Sequence, residues 1–379
     1  MRVFFSTGEA SGELVAAELL GALRARVHVD AEGVGGERLE RAGVTIVRRT
    51  RGWASMGVFA ALGKIPKLLT ACVKLALRIR ANPPDVVVLV DFGAFNLRLA
   101  WLLRRLGLRR PIVYYAPPAA WLDDPKRARA VAALCDPLTL FRHQAEFYRS
   151  LKLPIGYVGH PLVSTIPARA PRPLAAADGG VLALLPGSRS GEIERHMPRL
   201  LDAVARIREV RPNMRAVVVA VDDEAQRHVE HLLSFRSPLP VEIARETRGV
   251  LRDADVAIVA SGTAVLEAAL VQTPAVALYV LSEAQMKIAR RIYKRPYITL
   301  PNLVLDEPVI PELIQEAATP AALCDAALAL LAEPSAQHDG YERLRTALGP
   351  PDALQRNADW VLRTVAESRP VAAVQPAAG

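Results

Sequence analysis

The chain has 379 residues, with 48 Lys and Arg against 39 Asp and Glu, a formal charge of +9. At roughly 150 residues per domain this length suggests two domains. A content of 51% hydrophobic and 23% charged residues excludes a disordered chain, a collagen-like repeat and a disulfide scaffold. The excess charge is local: residues 41–84 carry Arg41, Arg48, Arg49, Arg51, Lys64, Lys67, Lys74, Arg78 and Arg80 and no acid, and the rest of the chain has 39 charges of each sign.

Short β-branched runs alternate with amphipathic helical patterns, the signature of α/β domains with parallel sheets. A strand is predicted at 2–6, then the loop TGEASGE and a helix through Leu23. The run at 85–90 is apolar after its first residue, as a strand buried on both faces requires. It ends at Asp91, and a helix follows in FGAFNLRLAWLLRRLG. Strands are expected at 111–115 and 156–158, and the Pro- and Ala-rich TIPARAPRPLAAADGG reads as an interdomain linker. The pattern restarts with a strand at 181–185, the loop PGSRSGEI and a helix to about 210. Strands at 215–221, 256–260 and 274–279 follow, with a basic helix to Lys294 and helices at 319–333 and about 353–367.

Cys72, Cys135 and Cys324 are widely spaced, which speaks against a zinc or disulfide framework and for a reducing compartment. The start MRVFFSTGEASGE has no room for a signal-peptide apolar region. No apolar run approaches the roughly 20 residues of a spanning helix. The expectation is a cytoplasmic protein that touches a membrane without crossing it, with a frayed tail at 368–379.

Ligands of open α/β sheets bind at the carboxyl ends of strands, and three such ends here carry chemistry, which is therefore expected between the domains. In PGSRSGEIERHMP (186–198), Gly187 permits close approach of backbone to a ligand. Ser188 and the following amides suit phosphate oxygens at a helix N-terminus, and Arg189 adds a charge-assisted clamp. An ordinary turn capped by Ser190 or Glu192 is the plainer alternative. In ASGTAVLEAAL (260–270), Ser261, Gly262 and Thr263 have the same character, and Glu267 could accept from ribose hydroxyls or be a solvated helix residue. Two phosphate-type junctions in one domain favour a nucleoside diphosphate. TGEASGE places Glu9 and Glu13 in a loop better suited to sugar hydroxyls than to phosphate. His160 in GHPL is either catalytic or a structural loop residue.

The stretch 53–80 alternates apolar residues with Lys and Arg at roughly helical spacing. Either it is a core helix with a solvated face, or it meets an anionic leaflet through Met56, Phe59, Lys64, Lys67, Leu68 and Lys74. No nucleic-acid motif surrounds it.

Taken in order, these motifs resemble those of the lipid-A-disaccharide synthases. The resemblance spans STGEASGE, GVGG (33–36), VDFGAFNLRLA (90–100), FY (147–148), YVGHPL (157–162), LLPGSRSGEI, ASGTAVLE and RPYITLPN…VIPELIQ (295–315). It implies a GT-B fold, α/β with two Rossmann-like domains facing a cleft. The boundaries expected are an acceptor- and membrane-side domain at 1–165, a UDP-sugar domain at 175–345, and a helix at 346–367 returning to the first domain. It further implies inverting transfer of 2,3-diacylglucosamine from UDP to 2,3-diacylglucosamine 1-phosphate, giving a β-1,6 disaccharide, by a protein peripheral on the inner membrane.

No metal or cofactor is called for by this resemblance. It assigns the UDP diphosphate to Gly187, Ser188, Arg189 and Asn302, the second nucleotide segment to Ser261, Gly262, Thr263 and Glu267, and the acceptor side to Glu9, Ser11 and Asn96. Three positions depart from the family pattern. Ala94 stands where the family has an Asp thought to act as base, APPAAW with Trp121 replaces a Trp-rich segment, and Arg142, His143 and Gln144 replace Pro-Phe-Glu. An alanine cannot take a proton, so Asp91, Glu9 or His160 would have to serve, Asp91 first. A transferase with a changed lipid acceptor, a UDP-sugar epimerase and a non-catalytic binding protein are the competing readings.

Overall fold

The computed structural model describes residues 1–50, 65–118, 123–173, 178–235 and 240–368. Met56, Phe59, Lys64, Trp121 and the tail from 369 lie outside the described residues, as does the side chain of Lys67. The described chain up to Pro161, together with that from Asp352, forms one compact unit, and Leu162–Pro351 forms the other.

The first unit runs β1 (Arg2–Ser6), α1 (Ala10–Arg24), β2 (Asp30–Gly35), α2 (Glu37–Arg41), β3 (Thr45–Arg49), α3 (Ile65–Ala81), β4 (Val86–Val90), α4 (Gly93–Arg105), β5 (Ile112–Tyr115), α5 (Pro125–Leu134), β6 (Asp136–Thr139), α6 (Arg142–Ser150) and β7 (Gly156–Tyr157). Its strands form one sheet in the order β3-β2-β1-β4-β5-β6-β7, parallel throughout. The five residues of β4, VVVLV, are all fully buried, because helices cover both faces of a parallel sheet. On α1, Val15, Ala16, Leu19, Leu20 and Leu23 repeat at helical spacing and pack onto one face.

The second unit runs α7 (Leu162–Thr165), β8 (Gly179–Leu185), α8 (Ser190–Val210), β9 (Asn213–Val219), α9 (Asp223–Ser234), β10 (Val241–Ala244), α10 (Thr247–Asp253), β11 (Val256–Ala260), α11 (Thr263–Leu270), β12 (Ala275–Tyr279), α12 (Glu283–Ile292), α13 (Leu300–Leu305), β13 (Glu312–Ile314), α14 (Pro320–Ala332) and α15 (Ser335–Leu348). Its parallel sheet has the order β10-β9-β8-β11-β12-β13. The basic helix stops at Ile292, two residues short of Lys294. The last helix, α16 (Ala353–Glu367), belongs to the first unit. Its Ala358, Val361 and Val365 share a core with Leu19 and Leu23, and Asn357 Nδ2 donates to Gly159 O at 3.1 Å.

Both sheets are doubly wound. The direction of winding reverses between β1 and β4 in the first unit and between β8 and β11 in the second. A crevice opens outside the strand ends at each such reversal.

Candidate functional site

The reversal points bring together the motifs that the sequence separates. In the second unit Leu185 of β8 lies in register with Val259 of β11, so PGSR and ASGT emerge side by side. In the first unit Ser6 of β1 pairs with Leu89 of β4, which sets TGEASGE beside Asp91–Phe92–Gly93. The four helices starting at these junctions, α1, α4, α8 and α11, have no side-chain hydrogen bond at their N-caps. Their first amides are a ready site for an anion or a hydroxyl oxygen.

In the second unit Gly187 has φ +108°, a backbone that favours glycine, and a Cβ there would press on the Glu192 side chain. Ser188 is exposed. Arg189 is the N-cap of α8, and its Nη1 donates to Glu192 Oε1 at 2.7 Å. Gly262 has open space where a side chain would be, and Thr263 opens α11. Glu267 is buried on α11 and accepts from Arg248 Nε of α10 at 2.8 Å. This is not the solvated helix glutamate that was the plainer alternative: a partly buried ion pair sets its direction.

Asn302 is fully buried. Its Nδ2 donates to Ile310 O (2.8 Å) and Glu312 Oε1 (2.9 Å), and its Oδ1 accepts from Ile310 N (2.8 Å). It therefore shapes the 298–302 loop from inside. Glu312 also accepts from the amides of Ile298 and Thr299 and from Thr299 Oγ1. Ser261 Oγ in turn donates to Ile298 O at 3.1 Å, which ties that loop to the ASGT junction.

His196, a residue the sequence shows only as part of a helix, is 0% exposed and links two strand ends. Val280 N donates to its Nε2 at 3.0 Å, so Nδ1 carries the proton and donates to Pro186 O at 2.7 Å. Burial lowers its pKa, keeping it in the neutral form that this arrangement needs.

In the first unit Asp91 and Phe92 both have left-handed backbones (φ +44° and +49°), a conformation that costs about 1–3 kcal/mol per non-glycine residue. Asn96 and Tyr114 hold it. Asn96 is 0% exposed, and its Nδ2 donates to Ser6 O (3.2 Å), Val90 O (3.2 Å) and Asp91 O (3.0 Å). Ser6 Oγ donates to Asn96 Oδ1 at 2.6 Å, and Tyr114 OH to Asp91 O at 2.8 Å. Burial, then the charge of Asp91, pushes the Tyr114 phenol well up, so it stays a donor. Asn96 is thus internal to the loop that displays Asp91, whereas the sequence placed it among groups facing an acceptor.

The Phe92 ring covers Gly8, where a Cβ would fall 2.3 Å from two ring carbons. Glu9 is the half-buried N-cap of α1, with Ser11 partly exposed in its first turn, and Ala94 is exposed in the first turn of α4. Glu13 turns its carboxylate to the start of α2. It is buried, accepts from Arg38 N at 3.2 Å at the start of α2, and burial raises its pKa against the opposing effect of backbone donors.

His160 does not join Asp91 and Glu9. It follows β7 at the far edge of the sheet, packs against Phe141 at 5.2 Å and is pushed down to about 3 by burial, which makes it a neutral core group. Gln144, at one of the departures from the family pattern, is buried and donates to Pro117 O at 3.1 Å.

The basic stretch looks different in three dimensions. Arg41 pairs with Glu37, Arg49 with Glu40 at 2.7 Å and Arg78 with Glu32 at 2.8 Å, so part of the excess is neutralised by acids upstream of it. On α3, Ala71, Cys72, Leu75, Ala76 and Ile79 are buried. Leu69 (39%), Val73 (44%) and Leu77 (50%) instead form an exposed row four residues apart, with Leu68 half-buried and Lys74 exposed. No helix among the described residues is long and apolar enough to cross a membrane.

Two doubly wound parallel sheets in one chain, each with loaded loops at its reversal point, define the fold of the GT-B nucleotide-sugar enzymes. The solved structures similar to it have that fold. One is the Methanocaldococcus jannaschii UDP-GlcNAc 2-epimerase in complex with UDP-GlcNAc and UDP, with TM-score 0.63 and 11% identity, covering 96% of this chain and 100% of that one. Another is a spinosyn rhamnosyltransferase, with TM-score 0.58 and 18% identity, covering 95% and 100%.

Residues 3–358 match the model of the lipid-A-disaccharide synthetase (LpxB) family, and the chain belongs to that family. It is 38% identical over 375 residues to the lipid-A-disaccharide synthase of Pseudomonas aeruginosa strain LESB58, covering 96% of this chain and 98% of that one. It is 37% identical over 373 residues to that of Azotobacter vinelandii, covering 96% and 97%.

Proposed function

We propose that the chain is an inverting glycosyltransferase that moves 2,3-diacylglucosamine from UDP to 2,3-diacylglucosamine 1-phosphate and so forms the β-1,6 disaccharide of lipid A. The observation that carries this reading is the β8/β11 reversal point. There two uncapped helix N-termini and Arg189 converge, the arrangement a departing diphosphate needs. Gly187, Ser188 and Arg189 take the phosphates, with Ser261, Gly262 and Thr263 beside them. Glu267, directed by Arg248, accepts from the ribose, and Asn302 with Glu312 fixes the loop that frames them.

On the other unit the attacking hydroxyl must lose a proton. Asp91, presented by a strained loop that Asn96 holds, is the base, and Glu9 and Ser11 orient the sugar. General-base assistance is worth about 10²–10⁴-fold. The exposed row on α3, with Lys74, Lys67 and the segment containing Met56, Phe59 and Lys64, meets an anionic membrane surface on the cytoplasmic side, from which both acylated substrates come.

Mass spectrometry of products from UDP-2,3-diacylglucosamine and its 1-phosphate partner tests this. Disaccharide and UDP are expected together. UDP-sugar isomerisation without acceptor, or tight UDP binding with no release, would replace the transferase reading.

Ala94 favours a second reading, a transferase with a changed lipid acceptor, because the family's Asp position here is an exposed first-turn alanine that cannot take a proton. Ala94→Asp should be tolerated at a helix N-terminus and should raise turnover. A fall would place the base elsewhere.

A further inference from the structure

Among the described helices of eight residues or more, α12 alone has no buried residue. Its ends are locally well made: Ser282 and Gln285 form a capping box, and Arg290 and Arg291 complete the last turn. Ten residues are nevertheless fewer than the ~12–15 at which an isolated helix becomes even marginally stable in water. An element of this kind calls for something to pack against.

Its composition says what. Ala284, Ile288 and Ile292 recur every four residues in one row, with Ile288 38% and Ile292 57% exposed. Lys287 and Arg291 run alongside in the neighbouring row. From 284 to 305 the chain has Lys287, Arg290, Arg291, Lys294 and Arg295 and no acid. Unlike Arg41, Arg49 and Arg78, the residues Lys287, Arg290, Arg291 and Lys294 make no ion pair among the described residues. The helix also follows β12, so it leaves the sheet at the same end as the PGSR and ASGT loops. A polyanion such as nucleic acid would satisfy the cations and leave both isoleucines in water. An anionic lipid surface satisfies both rows at once.

We propose that α12 is an interfacial helix that docks the second unit on an anionic lipid surface, with Ile288 and Ile292 at the acyl boundary and the cations among the headgroups. This contact is separate from the one drawn for α3, and it does not depend on which sugar the protein transfers.

The experiment uses the full chain with vesicles of phosphatidylcholine, with or without phosphatidylglycerol. Each cation near such a surface is worth about fivefold in binding. Lys287→Gln with Arg291→Gln should therefore weaken partitioning onto phosphatidylglycerol vesicles on the order of thirtyfold and change little on phosphatidylcholine alone. Ile288→Ser with Ile292→Ser should weaken it on both. All three native cysteines are buried, so Ile292→Cys can be labelled selectively with an environment-sensitive dye, whose emission should shift to the blue on anionic vesicles.

Unchanged partitioning of both variants, or a dye that ignores vesicles, overturns the proposal. A dye shift that follows protein concentration without lipid, together with self-association, overturns it in favour of a second copy of the chain. Disaccharide formation on detergent-dispersed substrates is read separately, so failure of lipid docking and failure of the transferase reading remain distinguishable.

Discussion

Replacing Asn96 by alanine tests whether the Asp91 loop is held or merely placed. The side chain supplies one acceptor and two N–H donors to Ser6, Val90 and Asp91, and it is 0% exposed. Three bonds at a net ~1 kcal/mol each, with Ser6 Oγ left unpaired at a further ~1–3 kcal/mol if no water reaches it, put the loss at about 3–6 kcal/mol. That is a large part of the ~5–15 kcal/mol of a typical domain.

Trp101 of α4 and Trp360 of α16 lie in the first unit and no tryptophan lies in 162–351, so tryptophan fluorescence in a urea titration follows the unfolding of that unit. Its midpoint should fall while UDP affinity, which the proposed function assigns to the second unit, stays unchanged. Turnover should drop at least tenfold, because Asp91 and Phe92 then relax out of left-handed conformations that cost about 1–3 kcal/mol each. In a cycle with Ser6→Ala the two changes should couple by about 0.5–3 kcal/mol. Additive effects, or full turnover in a destabilised variant, would refute the account.

Four further outcomes follow from the same geometry. His160 is neutral when folded, pushed down to about 3 from an ordinary 6.5, so the unfolded chain binds the extra proton between those values. Stability is therefore complete above about 6.5 and declines as the pH falls, by roughly 1.4 kcal/mol per unit; His160→Gln should flatten that acid limb, and an unchanged slope would clear His160 as its cause. Arg189→Ala should lower turnover by about 10²–10³-fold, and Arg189→Lys should recover only part of it because an ammonium cannot clamp two oxygens at once; full recovery would reduce the role to charge alone. His196→Ala strands Val280 N and Pro186 O, each at about 1–3 kcal/mol, and should weaken UDP binding measured by calorimetry as well as stability; unchanged affinity would confine His196 to the core. Gly8→Ala should impair turnover through its clash with the Phe92 ring, and adding Phe92→Ala should restore it if the clash is the reason.

Local periodicity is enough to reveal what each segment is when its neighbours in sequence decide the matter. The all-apolar run of β4 and the strand–loop–helix character of PGSRSG and ASGTAV depend on composition within a few residues, and both were legible. The strands DAEGVG, VEIA and ELI carry Glu or Gly and become strands by pairing with neighbours in the sheet, so no periodicity announces them. The 3.6-residue pattern of α3 was visible, but which apolar row would be buried depended on packing against α4. That packing left Leu69, Val73 and Leu77 outside. The +9 charge could be counted and even localised along the chain, yet the pairing of Arg78, Arg41 and Arg49 with Glu32, Glu37 and Glu40 is a property of neighbours in space.

The site divides in the same way. Family motifs pointed to Arg189, Ser261 and Glu267 because the residue types themselves carry phosphate and hydroxyl chemistry. Only strand order made PGSR and ASGT adjacent. Only burial turned Asn96, Asn302 and His160 from candidate contacts into internal supports, since a buried polar group must satisfy its hydrogen bonds within the protein. The sequence determined which chemistry the chain carries; the tertiary structure decided which of those groups remain free to use it.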